Sequence, residues 1–338
     1  MHSRRDFLTT VSGILASLVL AAGTGLPQAA MAGETGFRWD DHPQQGQCDL
    51  YYGKSPVLRY MYAYDASTPE RLLETYKVYH HVFGPGSDQI ITKGPGGLYT
   101  HHRGLYVGWN KTSTSEGGNY DFWHCTKGAH LKHVRFVKQE AGADQATMTA
   151  EINWNDADGK PVIVELRTVK VTVEPGNESS PPTWVIDWST VLTSRRGEIQ
   201  LSGDRQHAGF QFRAAQPVAD SKSARYIRPE GFPQQAEAFQ VGDKGDPPAH
   251  INLNWLAMTF PLEGQQYTAE YFEAPGQPRP SLYSERPYGR FGAFYKAQVT
   301  EEEPLEMQYR VRISAGETPS QESIQQRYDD YTAGLKQQ

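Results

Sequence analysis

The sequence predicts an all-β protein, a large antiparallel β-sandwich with a short C-terminal helix. Three observations carry that prediction. Runs rich in β-branched and aromatic residues recur between residues 162 and 313. Clusters of Gly, Pro, Asn and Asp punctuate them. Strong helix-end signals occur only near the C-terminus.

Taken in order, the chain opens with Ser3-Arg4-Arg5-Asp6-Phe7-Leu8, an uncharged stretch to Leu26, and Ala30-Met31-Ala32. Twin arginines, an apolar middle and an Ala-x-Ala site in that order predict a twin-arginine signal peptide over residues 1–32. The mature chain, residues 33–338, is expected to be one domain in the periplasm. No later stretch is apolar for long enough to cross a membrane as a helix. Removing Arg4, Arg5 and Asp6 leaves 31 Lys+Arg against 38 Asp+Glu, a net charge of −7. No basic patch stands out, which argues against nucleic acid as a partner. Cys48 and Cys125 have no metal-binding spacing and are expected to be structural or incidental.

A short helix is expected over residues 69–76. Residues 84–97 read as a loop, with Gly84-Pro85-Gly86 and Gly94-Pro95-Gly96-Gly97 permitting tight turns. Strands are expected at 162–173, 184–192, 209–214, 251–260, 267–273, 291–299 and 305–313. At the C-terminus Thr318 is the expected N-cap, Pro319 suits the first helical position, and Gly334 ends the helix.

Chemistry concentrates elsewhere. Seven of the eleven histidines lie between residues 80 and 133. The middle of that stretch reads His101-His102-Arg103-Gly104, and it continues to Asp121-Phe122-Trp123-His124. Imidazole titrates near neutrality and is the commonest metal ligand. A dense group beside Arg, Asp and Trp therefore points to a site for a small polar ligand. The chain has no GxSxG, no GxGxxG after a strand, no phosphate-cradling P-loop and no HExxH.

Those motifs carry a resemblance. Pro56-Val57-Leu58-Arg59-Tyr60, Tyr79 to Pro85, His101 to Leu105 and Asp121 to His124 resemble the bacterial family catalogued as PmoA-like, or "methane oxygenase". His207 to Arg213 and Arg286 to Gly292 extend the match over most of the mature chain. The resemblance implies a carbohydrate context, because the family is common in glycan-degrading bacteria. The β-rich layout also resembles the galactose-mutarotase superfold, which implies a supersandwich architecture. That likeness implies a site with His as acid, a carboxylate as base, and Arg or Asp holding sugar hydroxyls.

On this reading His102 or His207 is the acid and Glu285 the base. Arg103, Asp121, His124, Arg213, Tyr288 and Arg290 are the expected substrate-binding residues. Trp123 is expected to stack on a sugar ring, as are Trp109 and Trp255. The function expected is a periplasmic enzyme acting on carbohydrate, an epimerase, lyase or hydrolase, with no cofactor required. One alternative is a non-catalytic glycan-binding protein. The other is a metal-dependent oxidoreductase binding a divalent transition metal, with His101 and His124 as candidate ligands. On a strand the adjacent His101 and His102 would point to opposite faces, so at most one would serve a given site.

Overall fold

The computed structural model describes residues 36–177, 180–234 and 251–337. The expected signal peptide lies outside the described residues. The chain begins with strands β1 (Phe37–His42), β2 (Gln47–Tyr52) and β3 (Ser55–Met61), then helix α1 (Pro69–Thr75). Next come β4 (Tyr79–Val82), β5 (Leu105–Trp109), β6 (Lys111–Thr114) and β7 (Asn119–Tyr120). Long strands follow: β8 (His130–Ala141), β9 (Gln145–Asn155), β10 (Pro161–Glu174) and β11 (Thr183–Ser194). β12 (Ile199–Ser202), β13 (Ala208–Arg213), α2 (Gln216–Ser221) and β14 (Arg225–Ile227) lead to β15 (Trp255–Leu262) and β16 (Gln265–Glu273). β17 (Leu282–Arg286), β18 (Arg290–Phe294), β19 (Ala297–Val299), β20 (Leu305–Ala315) and helix α3 (Gln321–Leu335) complete it.

Among the described residues these strands form two eight-stranded sheets and one of four strands. The first large sheet runs β1-β2-β3-β4-β5-β13-β18-β17, and the second runs β14-β15-β16-β20-β11-β10-β9-β8. The strand pairs are antiparallel throughout, as the sequence predicts. Alternation explains the packing: on β9, Ala146, Met148, Ala150, Ile152 and Trp154 are buried while Thr147, Thr149, Glu151 and Asn153 between them are half-exposed. The inner faces of the two large sheets meet through aromatic rings. Phe210 of β13 lies 4.7 Å from Trp188 of β11 and 4.8 Å from Tyr309 of β20, centroid to centroid. Within this core the fully buried Glu165 accepts hydrogen bonds from Arg167, Trp154 Nε1 and Thr190. Those donors offset the cost of burying its charge.

Several boundaries differ from expectation. The run 291–299 is interrupted between β18 and β19. The C-terminal helix is capped by Ser320, whose Oγ accepts the Ser323 N–H, and Thr318 instead reaches Thr259. Gly334 lies inside that helix, which ends at Leu335. Thr68 caps α1, with Pro69 opening the helix. Cys48 and Cys125 are free thiols. No helix of the described residues is long and apolar enough to cross a membrane.

Candidate functional site

Strand order creates the site. β13 pairs with β5 on one side and β18 on the other, although all three are distant in sequence. On β13, Phe210 and Phe212 point toward the second sheet, so Gln211 and Arg213 point away from it. On β18, Phe291 packs on Tyr271 of the second sheet, which sends Arg290 to the outer face beside Arg213. Arg290 donates to Gln211 Oε1 at 3.1 Å and to Ser284 Oγ at 2.9 Å.

Three loops cover this outer face. The first, residues 99–104, carries His101 and His102. Arg103 fixes it by donating to the carbonyls of Thr100 (3.1 Å), Glu74 (2.7 Å) and Leu73. The last two lie in the final turn of α1, where a cation also complements the helix dipole. Gly104 closes the loop at φ +33°, and a Cβ there would come within 1.9 Å of the His80 carbonyl oxygen. The second loop, residues 121–125, lies across Gly108 of β5, where a Cβ would meet the Phe122 carbonyl at 2.6 Å. The third, residues 203–207, leads into β13. Buried Lys77 ties the first two together, donating to the carbonyls of His101 (2.9 Å) and Trp123. Burial pushes its ammonium down to about 7.

The loops bring four imidazoles together. Ligand nitrogens of His101, His102 and His207 all lie within 4.8 Å of one another. The His124 ring stands beside them, 4.4 Å from His101 and 4.8 Å from His207 between centroids, but outside that mutually close set. His101 and His102 thus serve one site. The expectation that at most one could do so fails because they sit on a loop, where strand alternation does not apply.

Two carboxylates orient this group. Asp121 accepts the His124 Nδ1–H at 2.8 Å, and its other oxygen accepts the N–H of Trp123 and His124. Asp204 accepts the His207 Nδ1–H at 2.9 Å and also binds Asn110 at 2.8 Å. Burial raises both carboxyls, but the histidine bonds outweigh it and hold them below the usual carboxylate range. These two bonds fix the orientation of both rings. Burial, with neighbouring positive groups second, holds His101 and His102 far below their ordinary pKa. Both rings are therefore neutral and offer lone pairs. His101 Nε2 and His102 Nδ1 are buried with no hydrogen-bond partner among the described residues.

The other expected site residues divide sharply. Tyr288 stands at the rim, 4.9 Å from Tyr99 and 6.3 Å from His102 between ring centroids. Glu285 does not join the site. It pairs with Phe291 and follows Tyr283, which packs on Tyr271 of the second sheet, so its side chain projects from the inner face. There it is bound bidentately by the Arg228 guanidinium. Arg103 acts as a structural clamp, with Nε, Nη1 and Nη2 each donating to a backbone carbonyl. Trp123 is fully buried against Tyr106 and Tyr79, and Trp109 and Trp255 are buried as well, so none offers a face to a sugar.

Asp204 was missed from the sequence, although a signal was present. Asp204-Arg205-Gln206-His207 repeats the D-x-x-H spacing of Asp121-Phe122-Trp123-His124, and both pairs form the same bond. A cleft of about 540 Å³ passes Asn110, Tyr120 and Asp121, but none of the four imidazoles lines it.

Comparison with known proteins gives a family and distant folds. Residues 47–329 match the model of a family of unknown function, DUF6807, a description that carries no PmoA-like name. No curated protein matches. Among solved structures, the galactosidase domain of alpha-galactosidase–sucrose kinase AgaSK is similar over 82% of this chain and 42% of that one, at 9% identity and TM-score 0.42. The GH36 alpha-galactosidase AgaA from Geobacillus stearothermophilus matches over 83% and 41%, at 9% identity and TM-score 0.35. A beta-arabinopyranosidase matches over 77% and 38%, at 9% identity and TM-score 0.37. The chain spans about two-fifths of the length of these structures.

Proposed function

The chain belongs to the family of unknown function DUF6807, and from that premise we propose that it is a carbohydrate-active enzyme built around a divalent transition metal, with His101, His102 and His207 as ligands. One observation carries the reading: three imidazoles from two separate loops place ligand nitrogens within 4.8 Å of one another. The bond from His207 to Asp204 is the carboxylate–histidine arrangement that sets ring orientation at metal centres. Imidazole ligands suit zinc, copper or iron. Three protein ligands leave coordination positions for substrate or water. A bound ion would supply Lewis-acid polarisation of a substrate oxygen or a water of lowered pKa.

This reading keeps the sequence-predicted histidines and changes their task. Acid–base catalysis by His102 and Glu285 loses its base, because Glu285 lies on the opposite face of the sheet in an ion pair. It also loses His102 as one of its two expected acids, because a neutral buried imidazole has no proton to give readily. Carbohydrate as substrate class is supported by the glycan context of the motif resemblance. The Tyr99–Tyr288 rim and the donor-rich outer face suit a polyhydroxylated ring. Export in a folded state by the twin-arginine route belongs to the same proposal.

Elemental analysis of the tag-free protein, exported through its own signal, tests the metal. About one equivalent of a transition metal is expected, and His102→Ala is expected to lose it. Protein that carries none, and takes up none from zinc, copper or iron salts, overturns the reading.

A further inference from the structure

Arginine binds carboxylates best through the edge formed by Nε and Nη2, which presents two parallel N–H groups. This chain uses that edge repeatedly. Arg59 holds Asp49 with two bonds of 2.7 Å, Arg310 holds Asp187 at 2.6 and 2.9 Å, and Arg327 holds Glu270 at 3.0 and 2.6 Å.

Arg213 breaks the pattern. Its guanidinium is fully buried, and Nη1 alone is engaged, donating to the carbonyls of Ala214 (3.1 Å) and Tyr288. Nε and Nη2 are both buried without a hydrogen-bond partner among the described residues. The neighbouring Arg290, its cross-strand partner, has a buried Nε in the same condition. No carboxylate among the described residues is hydrogen-bonded to either guanidinium. Two guanidiniums side by side with unfilled buried donors are costly, whereas the equally buried Arg103 fills its fork with backbone carbonyls and Arg167 fills its own with Glu165. Nothing in the packing of β13 requires the charge, since Phe212 supplies the buried apolar surface there. Arg213 also lies at the histidine site. Its backbone N–H donates to Gly104 O, and its guanidinium carbon sits 5.0 Å from the centroid of Tyr288, which borders His102.

We infer that the Nε/Nη2 edge of Arg213 receives a carboxylate of the ligand, so that the sugar taken by this site is an acid such as a uronate. The inference rests on the reading of the outer face as a carbohydrate site, but it does not require the metal. A carboxylate held there neutralises one of the paired cations and fixes the sugar ring beside the imidazoles.

Calorimetric titration tests it, with D-glucuronate and D-galacturonate set against D-glucose and D-galactose, and with sulfate and phosphate as competitors. Wild-type protein is expected to take at least one uronate about tenfold or more tighter than its neutral counterpart. Losing a buried charged hydrogen-bond pair corresponds to about 30-fold or more in affinity. Arg213→Gln is expected to abolish the uronate preference. Arg213→Lys, which keeps the charge without the fork, is expected to lose most of it. Wild-type protein that binds uronates no better than neutral sugars overturns the inference, whether or not the variants fold. So does an inorganic anion that binds as tightly as the uronate, since that marks a general anion site. Metal content measured on the same samples separates the two readings. Metal without uronate preference sinks only the present inference. Uronate preference without metal sinks only the metal centre.

Discussion

Glu285 and Arg290 stand on adjoining strands of one hairpin, yet their side chains leave the sheet on opposite faces. Arg290 reaches Gln211 and Ser284 on the outer face, among the groups around His102. Glu285 reaches inward to Arg228, just after β14, and so ties an edge strand of the first sheet to an edge strand of the second. Burial raises the Glu285 carboxyl to about 7 against the pull of that guanidinium. The hairpin thus contributes to stability on one side and to the site on the other.

Removing Glu285 is a test of that division. Glu285→Ala removes the bidentate acceptor of the buried Arg228 guanidinium, and removing one partner of a buried ion pair typically costs about 3–5 kcal/mol. Urea unfolding is expected to show that loss, while metal stoichiometry in the folded protein stays at the wild-type value. A stable variant with lost metal would return Glu285 to the site.

The two D-x-x-H pairs are predicted to differ in consequence. Asp204→Asn disturbs the ring of a proposed ligand and is expected to weaken metal affinity by about 10–100-fold, read by competition with a chelator. Asp121→Asn acts on His124, outside the close set, and is expected to change affinity far less. Equal losses would make His124 a fourth ligand.

Acid is expected to weaken the fold before most carboxylates titrate. Burial holds His81 down at about 3 and His133 at about 4, and His80 lies well below its ordinary value. In the unfolded chain these rings take up protons near pH 6.5. The folded state resists protonation, so its stability is complete above that pH and falls as pH drops through 6.5 toward 4. For the fully enclosed His80 and His81 the loss at pH 5.5 is about 1 kcal/mol each. Urea midpoints of chelator-treated protein at pH 7.5 and 5.5 measure it. Equal midpoints would refute the buried neutral state.

Gly104→Ala is predicted to damage the site from outside it. A Cβ would press on the His80 carbonyl, and φ +33° is strained for any side chain. The expected result is a loss of about 1–3 kcal/mol and weaker metal uptake, because the loop carrying His101 and His102 must move. Thermal melting with metal analysis reads both.

The sandwich was legible because period-two burial of branched and aromatic residues is written into single strands such as β10 and β11. The partners of each strand were not, since pairing of β13 with β5 and β18 depends on long-range contacts. The same limit governed the site. Histidine clustering and the Asp121–His124 motif pointed to two of the three loops that the structure brings together, and Asp204 was readable from the repeated spacing. Glu285 misled because closeness in sequence to Arg286 and Tyr288 says nothing about face, whereas its register opposite Phe291 does. Arg103 and Trp123 misled because residue type does not reveal burial or whether a donor is already taken by backbone.

The seam between β5 and β13 joins Gly108 to Gly209, roughly a hundred residues away, with His207 at its end. Contacts of such separation are closed late, after local hairpins have formed. A metal ion at these imidazoles could not template the beginning of folding. It would enter a cage that the sheet had already shaped. Its exchange is expected to keep pace with the rare opening of that seam, which makes the retention time of the ion a clock for local unfolding.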